Sequence, residues 1–315
     1  MTLTRRDLIG ATLASSALAV ALGLSACTGR DTATRLRLAS GERGGNYHRF
    51  ARLLRDAAHH GDTGLAVTPV ATNGSAENLE KLASGAAELA MCLADTAEVD
   101  PGGSAAIGRI YQNYLQCIVR ADGPITAFED LAGHPISIGA PGSGCSFTVR
   151  RLLDTQGQDG RNVDRQNVQE HPIAEALDRL DAGDVDACFW SGGLPTPLID
   201  RRARTSGRRL LDLSNGIEAL QHDHPDVYLA ARVPSGVYGS TAPLTTVGVP
   251  SLLMASPGLA DSTVASLVDI LIEDAHSLVP QDSIGVQFLT PSDLIDTGTL
   301  ALHPAARARY RERYG

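Results

Sequence analysis

Lysine is almost missing from these 315 residues: Lys81 is the only one, and it follows Glu80 rather than a glycine, so no phosphate-cradling Gly-Lys-Ser/Thr loop exists. Aromatic side chains make up 4% of the chain, with one Trp and five Phe, and the net charge is −9. A surface that stacks bases and neutralises phosphates needs the opposite balance, so no nucleic-acid partner is expected. The five cysteines lack C-x-x-C spacing. His59-His60 and His222-Asp223-His224 lack the H-E-x-x-H rhythm, so neither a metal nor a cofactor is expected. Around Ser143 and Ser146 a G-x-S-x-G nucleophile elbow fails, because Pro141 and Cys145 stand where glycine is required. Past residue 27 no run is long and apolar enough to cross a bilayer.

The first 27 residues read as an export leader. Arg5-Arg6 forms a cationic head, and 8–24 is a mildly apolar stretch diluted by Gly, Ala and Ser, which fits twin-arginine export. Leu24-Ser25-Ala26-Cys27 resembles the bacterial lipobox. Cys27 is thus expected to be lipidated and to tether an extracytoplasmic protein to the cell membrane. Four cysteines remain: Cys92, Cys117, Cys145 and Cys188. Disulfides are permitted outside the cytoplasm, with pairing inside each lobe the natural choice, and buried free thiols are the equal alternative.

Short apolar runs alternate with amphipathic ones, the grammar of an α/β fold. Strands are expected at 36–39, 65–70, 89–92, 115–119, 136–140, 168–171, 187–190, 210–213 and 247–254. Tyr47, Phe50, Ala51, Leu54 and Ala58 share one helical face; Val264, Leu267, Val268, Leu271, Ile272, Ala275 and Leu278 share a longer one, started by Asp261 and Ser262 and ended by Pro280. At Gly41–Tyr47, Thr72–Asn78 and Gly139–Gly144 a strand passes through a glycine-bearing turn into a helix. Such turns let bare amides and a helix dipole approach an anion. If 115–119 and 246–254 are hinge strands, residues 34–120 plus 246–315 form one lobe and 121–245 an inserted second, with a small polar or anionic molecule held between them. The basic run Arg201, Arg202, Arg204, Arg208 and Arg209 reads as a solvated face, or alternatively as a docking patch.

The motifs follow one family's order almost end to end. Gly41-Glu42-Arg43-Gly44-Gly45-Asn46-Tyr47 is similar to the glycine–tyrosine loop of the TAXI-type solute receptors of tripartite (TRAP) transporters. Thr72-Asn73-Gly74-Ser75-Ala76-Glu77-Asn78-Leu79 matches their T-x-G-S-x-x-N-L segment. Glu88 stands where that family has Asp after Gly85. Asp130–Gly133 with Ile136–Gly144, Gly183–Phe189, and Leu302-His303-Pro304 resemble its remaining motifs, with Cys145 in place of the usual Thr. The resemblance implies a two-lobed, type II periplasmic-binding-protein-like fold, each lobe a sheet flanked by helices. It implies a monomeric receptor, not an enzyme, for an acidic amino acid such as glutamate or a related dicarboxylate. The implied partner is the membrane-embedded permease; a sensory lipoprotein read by a membrane kinase is the alternative.

The candidate ligand contacts are Gly45, Tyr47, Thr72, Ser75, Asn78, Gly142, Ser143, Gly144 and Trp190. Ser75 is read as a helix N-cap with Asn78 as its reciprocal partner. Gly142, Ser143 and Gly144 are the best anion cradle. Trp190 ends a strand where an indole can stack on a ligand. Arg43 is a candidate counter-ion that is equally readable as an exposed loop residue. Cys145, at a helix start beside glycines, leaves a Cys-dependent hydrolase as the weaker alternative.

Overall fold

Strand period and helix period sort this chain onto one shared sheet. The computed structural model describes residues 33–61, 63–158, 167–203 and 207–315. The leader and Cys27 lie outside these residues. Residues Arg35–Gly315 form one unit.

The strands are β1 (Thr34–Ala39), β2 (Leu65–Val70), β3 (Leu89–Leu93), β4 (Ala105–Arg120), β5 (Ile136–Ser137), β6 (Val168–Gln169), β7 (Ala187–Gly192), β8 (Arg208–Leu210), β9 (Leu229–Val233) and β10 (Leu244–Ala255). They pair in the order β2-β1-β3-β10-β4-β7-β5-β6, with β8 on β4 and β9 on β10. The helices are α1 (Asn46–His60), α2 (Ser75–Ala83), α3 (Ala94–Val99), α4 (Gly144–Gln158), α5 (Ile173–Ala182), α6 (Pro197–Ala203), α7 (Ser214–Asp223), α8 (Asp261–Glu273), α9 (Pro291–Leu294) and α10 (Pro304–Tyr314).

Alternation along each strand divides the apolar residues between two faces. Leu38, Leu89 and Met91 join α1, α8 and α10 in one cluster, while their neighbours Ala39, Ala90 and Cys92 join α2 on the other face. In the second half Cys117, Phe189 and Ala187 pack with α4 and α7, while Ile118, Cys188 and Trp190 pack with α5. The chain is therefore a two-lobed α/β fold, each lobe one half of the shared sheet flanked by helices. Two long strands join the halves. β4 pairs with β10 from Ala105 to Tyr114 and with β7 from Tyr114 to Val119; β10 pairs with β9 up to Gly248 and with β3 from Ser251.

Each expected strand overlaps an observed one, although 168–171 ends at Gln169 and 210–213 meets β8 at Leu210 alone, and three further differences stand out. β4 begins ten residues earlier than 115, β9 was not expected, and the run at 136–140 stays a strand only to Ser137 because the chain bends into the glycine turn. The long C-terminal helical face breaks at Asp274, which caps α8 through its N–H to Ile270 and starts a separate 3-10 turn at Ala275–Leu278.

Neither within-lobe disulfide is formed: Cys92, Cys117, Cys145 and Cys188 are buried free thiols. Strand β10 lies between the strands of Cys92 and Cys117, and Cys145 and Cys188 pack on opposite faces of the sheet. The basic run is tied down rather than free-standing. Arg202 reaches Asp178 at 2.5 Å, Arg208 pairs with Asp181 while buried, and Arg209 donates to the Ile125 carbonyl at 2.5 Å. Arg204 is outside the described residues.

Candidate functional site

The predicted strand-to-helix turns converge. A cavity of about 40 Å³ is lined by Gly41, Glu42, Gly45, Asn46 and Tyr47 before and within α1, by Asn73, Gly74 and Ser75 at α2, and by Ser143, Gly144 and Cys145 at α4. Leu93, Asn113, Trp190, Ser191 and Gly192 complete the wall. Of the sequence candidates, Gly45, Tyr47, Ser75, Ser143, Gly144 and Trp190 are brought together here. Thr72, Asn78 and Gly142 are not among the lining residues.

Those three hold the turns in place. Thr72 Oγ1 donates to Asn78 Oδ1 at 2.5 Å and accepts the Gly41 N–H at 2.8 Å. Asn78, fully buried, donates to the Met91 carbonyl at 2.7 Å. The glycine loop, the α2 start and β3 are thereby cross-linked. The Gly142 carbonyl accepts from Ala76 N (3.2 Å) and Glu77 N (3.3 Å), so a turn of the second half occupies the first-turn amides of α2.

The capping pattern differs from the sequence reading. The N-cap of α2 is Gly74, at φ +133°, and a Cβ there would meet Ser143 Cα at 3.2 Å, so both backbone angle and space require glycine. Ser75 is instead the first helical residue, and its Oγ accepts the Leu93 N–H at 3.1 Å. Glu77, not Asn78, reaches back, accepting the Asn73 N–H at 2.7 Å.

The halves touch along this line. A Cβ on Gly144 would lie 2.5 Å from Ser75 Oγ and 2.7 Å from Leu93 Cδ1. Leu93 packs into the apolar cluster beneath α4, and Tyr47 packs against clusters of both halves. Tyr47 OH accepts from Asn113 Nδ2 at 3.4 Å, and its ring meets Tyr111 edge-on at 6.1 Å.

On the far wall a polar network fixes Trp190. Its Nε1 donates to Thr196 Oγ1 at 3.0 Å, and Thr196 N donates to Tyr238 OH at 2.6 Å. Tyr238 OH in turn donates to Gln116 Oε1 at 2.7 Å. Tyr238 is the single non-glycine residue at positive φ (52°) among the described residues, held there by these bonds.

Sequence reasoning missed Glu42, Asn46, Asn73, Leu93, Asn113, Ser191 and the buried Asp95. Asp95, at the start of α3, accepts from Thr148 (2.6 Å), Thr96 (3.0 Å) and Tyr228 (3.1 Å), joining α3 to α4 across the halves. Burial raises its carboxyl above the usual value. The signal available was an acid directly after a buried strand. Arg43 is exposed and outside the wall. Burial pushes the Cys145 thiol far up, which disfavours the thiolate a nucleophile needs, and no histidine lines the cavity. His303 caps α10, its Nδ1 accepting the Ala305 N–H at 3.2 Å.

Helix starts from both halves of the sheet face one small cavity. The solved structure of Tv2483 bound to L-arginine matches with a TM-score of 0.52 at 12% identity, over 82% of this chain and 94% of that one. An ancestral arginine-binding protein bound to arginine matches at 0.49 and 14%, over 78% and 96%. The periplasmic aliphatic sulphonate binding protein SsuA from Escherichia coli matches at 0.46 and 16%, over 89% and 83%. The chain belongs to the NMT1-like family, whose model matches residues 38–313.

Proposed function

We propose that this chain is an extracytoplasmic solute-binding receptor that shuts over a small organic anion and performs no covalent chemistry on it. The observation that carries this reading is the meeting of the starts of α1, α2 and α4, from both halves, on one cavity. No Arg, Lys or His lines the wall, so the anionic end of a guest is held by backbone amides. Gly142 engages the Ala76 and Glu77 amides of α2, and Ser143 engages the Ser146 and Phe147 amides of α4, which leaves the first amides of α1 and the Gly144 and Cys145 amides of α4 for the guest. Contact with both halves at once shifts the receptor toward its shut form.

In this reading residues 34–120 plus 246–315 form one lobe and 121–245 the other, with β4 and β10 as hinge strands. Residues 1–27 are a leader, with Cys27 as a lipid anchor. The motif resemblance to TAXI-type receptors supports an acidic amino acid such as glutamate, or a related dicarboxylate, as ligand, and a TRAP permease as recipient.

The test is thermal. Melting the purified protein with a panel of amino, keto and dicarboxylic acids should identify a compound that raises the melting temperature by mass action. Ser143→Trp fills the cavity beside the start of α4 and should abolish that rise, with the ligand-free melting temperature falling modestly because the Ser143 Oγ cap on the Ser146 N–H is lost. A variant that still responds removes this cavity as the binding site.

A further inference from the structure

The cavity wall also carries an opposite polarity, and it narrows the guest. Glu42 is the only residue with a charged side chain among those lining the cavity. Its Oε2 accepts the Ile173 N–H at 3.2 Å, and no cation among the described residues pairs with it. Two more polar atoms on the same wall are left over, one an amide oxygen that only accepts and one a hydroxyl that both donates and accepts. Asn46 Oδ1 and Ser191 Oγ are buried without any hydrogen-bond partner, and Asn46 as a whole is 8% exposed.

These groups belong to surfaces that meet. Asn46 opens α1 four residues after Glu42 and lies against Gly193, and Gly45 lies against the ring of Trp190, next to Ser191. A buried acceptor without a donor is unfavourable, and a carboxylate ligand has no donor to offer. A dicarboxylate could accept from the Ser191 hydroxyl but would leave Asn46 Oδ1 unmatched and set a second negative charge near Glu42, and a keto acid would offer no donor to either Asn46 Oδ1 or Glu42. A primary ammonium group has three N–H donors and the complementary charge.

Building on the receptor reading above, we infer that the guest is a zwitterion: its ammonium group donates to Glu42, Asn46 Oδ1 and Ser191 Oγ, while its carboxylate meets the amides at the start of α4. Glu42 is then the residue that separates amino acids from deaminated acids of the same skeleton.

The experiment is calorimetric titration of the purified protein with matched pairs: L-glutamate against glutarate and 2-oxoglutarate, L-aspartate against succinate, L-alanine against propionate. The expected result is one amino acid binding about 30-fold or more tightly than its deaminated partner, as losing one member of a buried charge pair requires. Glu42→Gln, whose amide oxygen can still accept the Ile173 N–H, should collapse that preference to a few-fold; Ser191→Ala should reduce it less. If a deaminated acid binds as tightly as its amino acid, and Ser143→Trp abolishes both, the receptor reading stands and the ammonium site is wrong. If the preference is present but Glu42→Gln leaves it unchanged, the assignment to Glu42 is wrong. If no member of any pair binds, the small-acid receptor reading fails and the ammonium site with it.

Discussion

Glu42 titrates close to neutrality, because burial pushes its carboxyl from the ordinary 4.5 up to about 7. If the proposed opening of the halves returns Glu42 to water, it is protonated in both forms below the ordinary carboxylate range and ionised in both above about 7. Between the two, shutting takes up a proton, so empty closure is favoured in acid and loses that advantage as pH rises toward 7. An ammonium guest reverses the sign, since it stabilises the ionised carboxylate in the shut form. Tyr47 and Cys145, the other titratable side chains of the wall, are pushed much further up by burial. At the facing start of α5, burial holds His171 below its usual value, and Glu175 pairs with Arg179 at 3.0 Å. Amino-acid affinity should therefore rise between about pH 6 and about pH 8, and calorimetry on Glu42→Gln should show that slope lost. Tyr238 offers a second test. Tyr238→Phe strands the Thr196 N–H and Gln116 Oε1 in the interior, at a cost of about 1–3 kcal/mol. A lower urea midpoint with a few-fold weaker affinity is expected, because Trp190 then loses the support of Thr196.

At the scale of elements, helix α10 returns the C-terminus to the first half of the sheet. Tyr310 OH donates to the Ile107 carbonyl at 3.1 Å, and Arg309 grips Asp269 on α8 with bonds of 2.8 and 2.9 Å. Tyr310→Ala empties a site in the largest apolar cluster and should cost about 3 kcal/mol, read as a lower urea midpoint at unchanged slope. The elements that sequence alone revealed are those whose residues obey one period without interruption, such as α1, β3 and β7. The first half of β4 stayed hidden because Arg109, Gln112 and Asn113 interrupt its apolar run. Gln112 Nε2 satisfies itself locally on the Asn113 carbonyl at 2.9 Å, and Asn113 binds Ser251, a bond that exists only once β10 lies alongside. The site was legible in the same uneven way. Its glycine turns announce themselves by composition, whereas Glu42 and Asn46 inside one of those turns, and Ser191 beyond Trp190, look like ordinary loop and strand polar residues until the halves face each other. Thr72 and Asn78 show the reverse: residue types suited to touching a ligand are spent on joining the turn to β3.

For the molecule as a whole, motion between the halves is the property to measure. Gly144→Val places a side chain against Ser75 Oγ and Leu93 Cδ1, a collision present only when the halves meet. Small-angle scattering of the wild type should show contraction when a ligand from the thermal screen is added, and the variant should stay expanded with little change in ligand-free stability. The amides of Ala76 and Glu77 on the Gly142 carbonyl add one more consequence. Jaws that grip each other across their lip do not spring apart when the cargo loosens. In the proposed receptor, unloading would then wait on the parting of this lip as well as on the fit of the cargo.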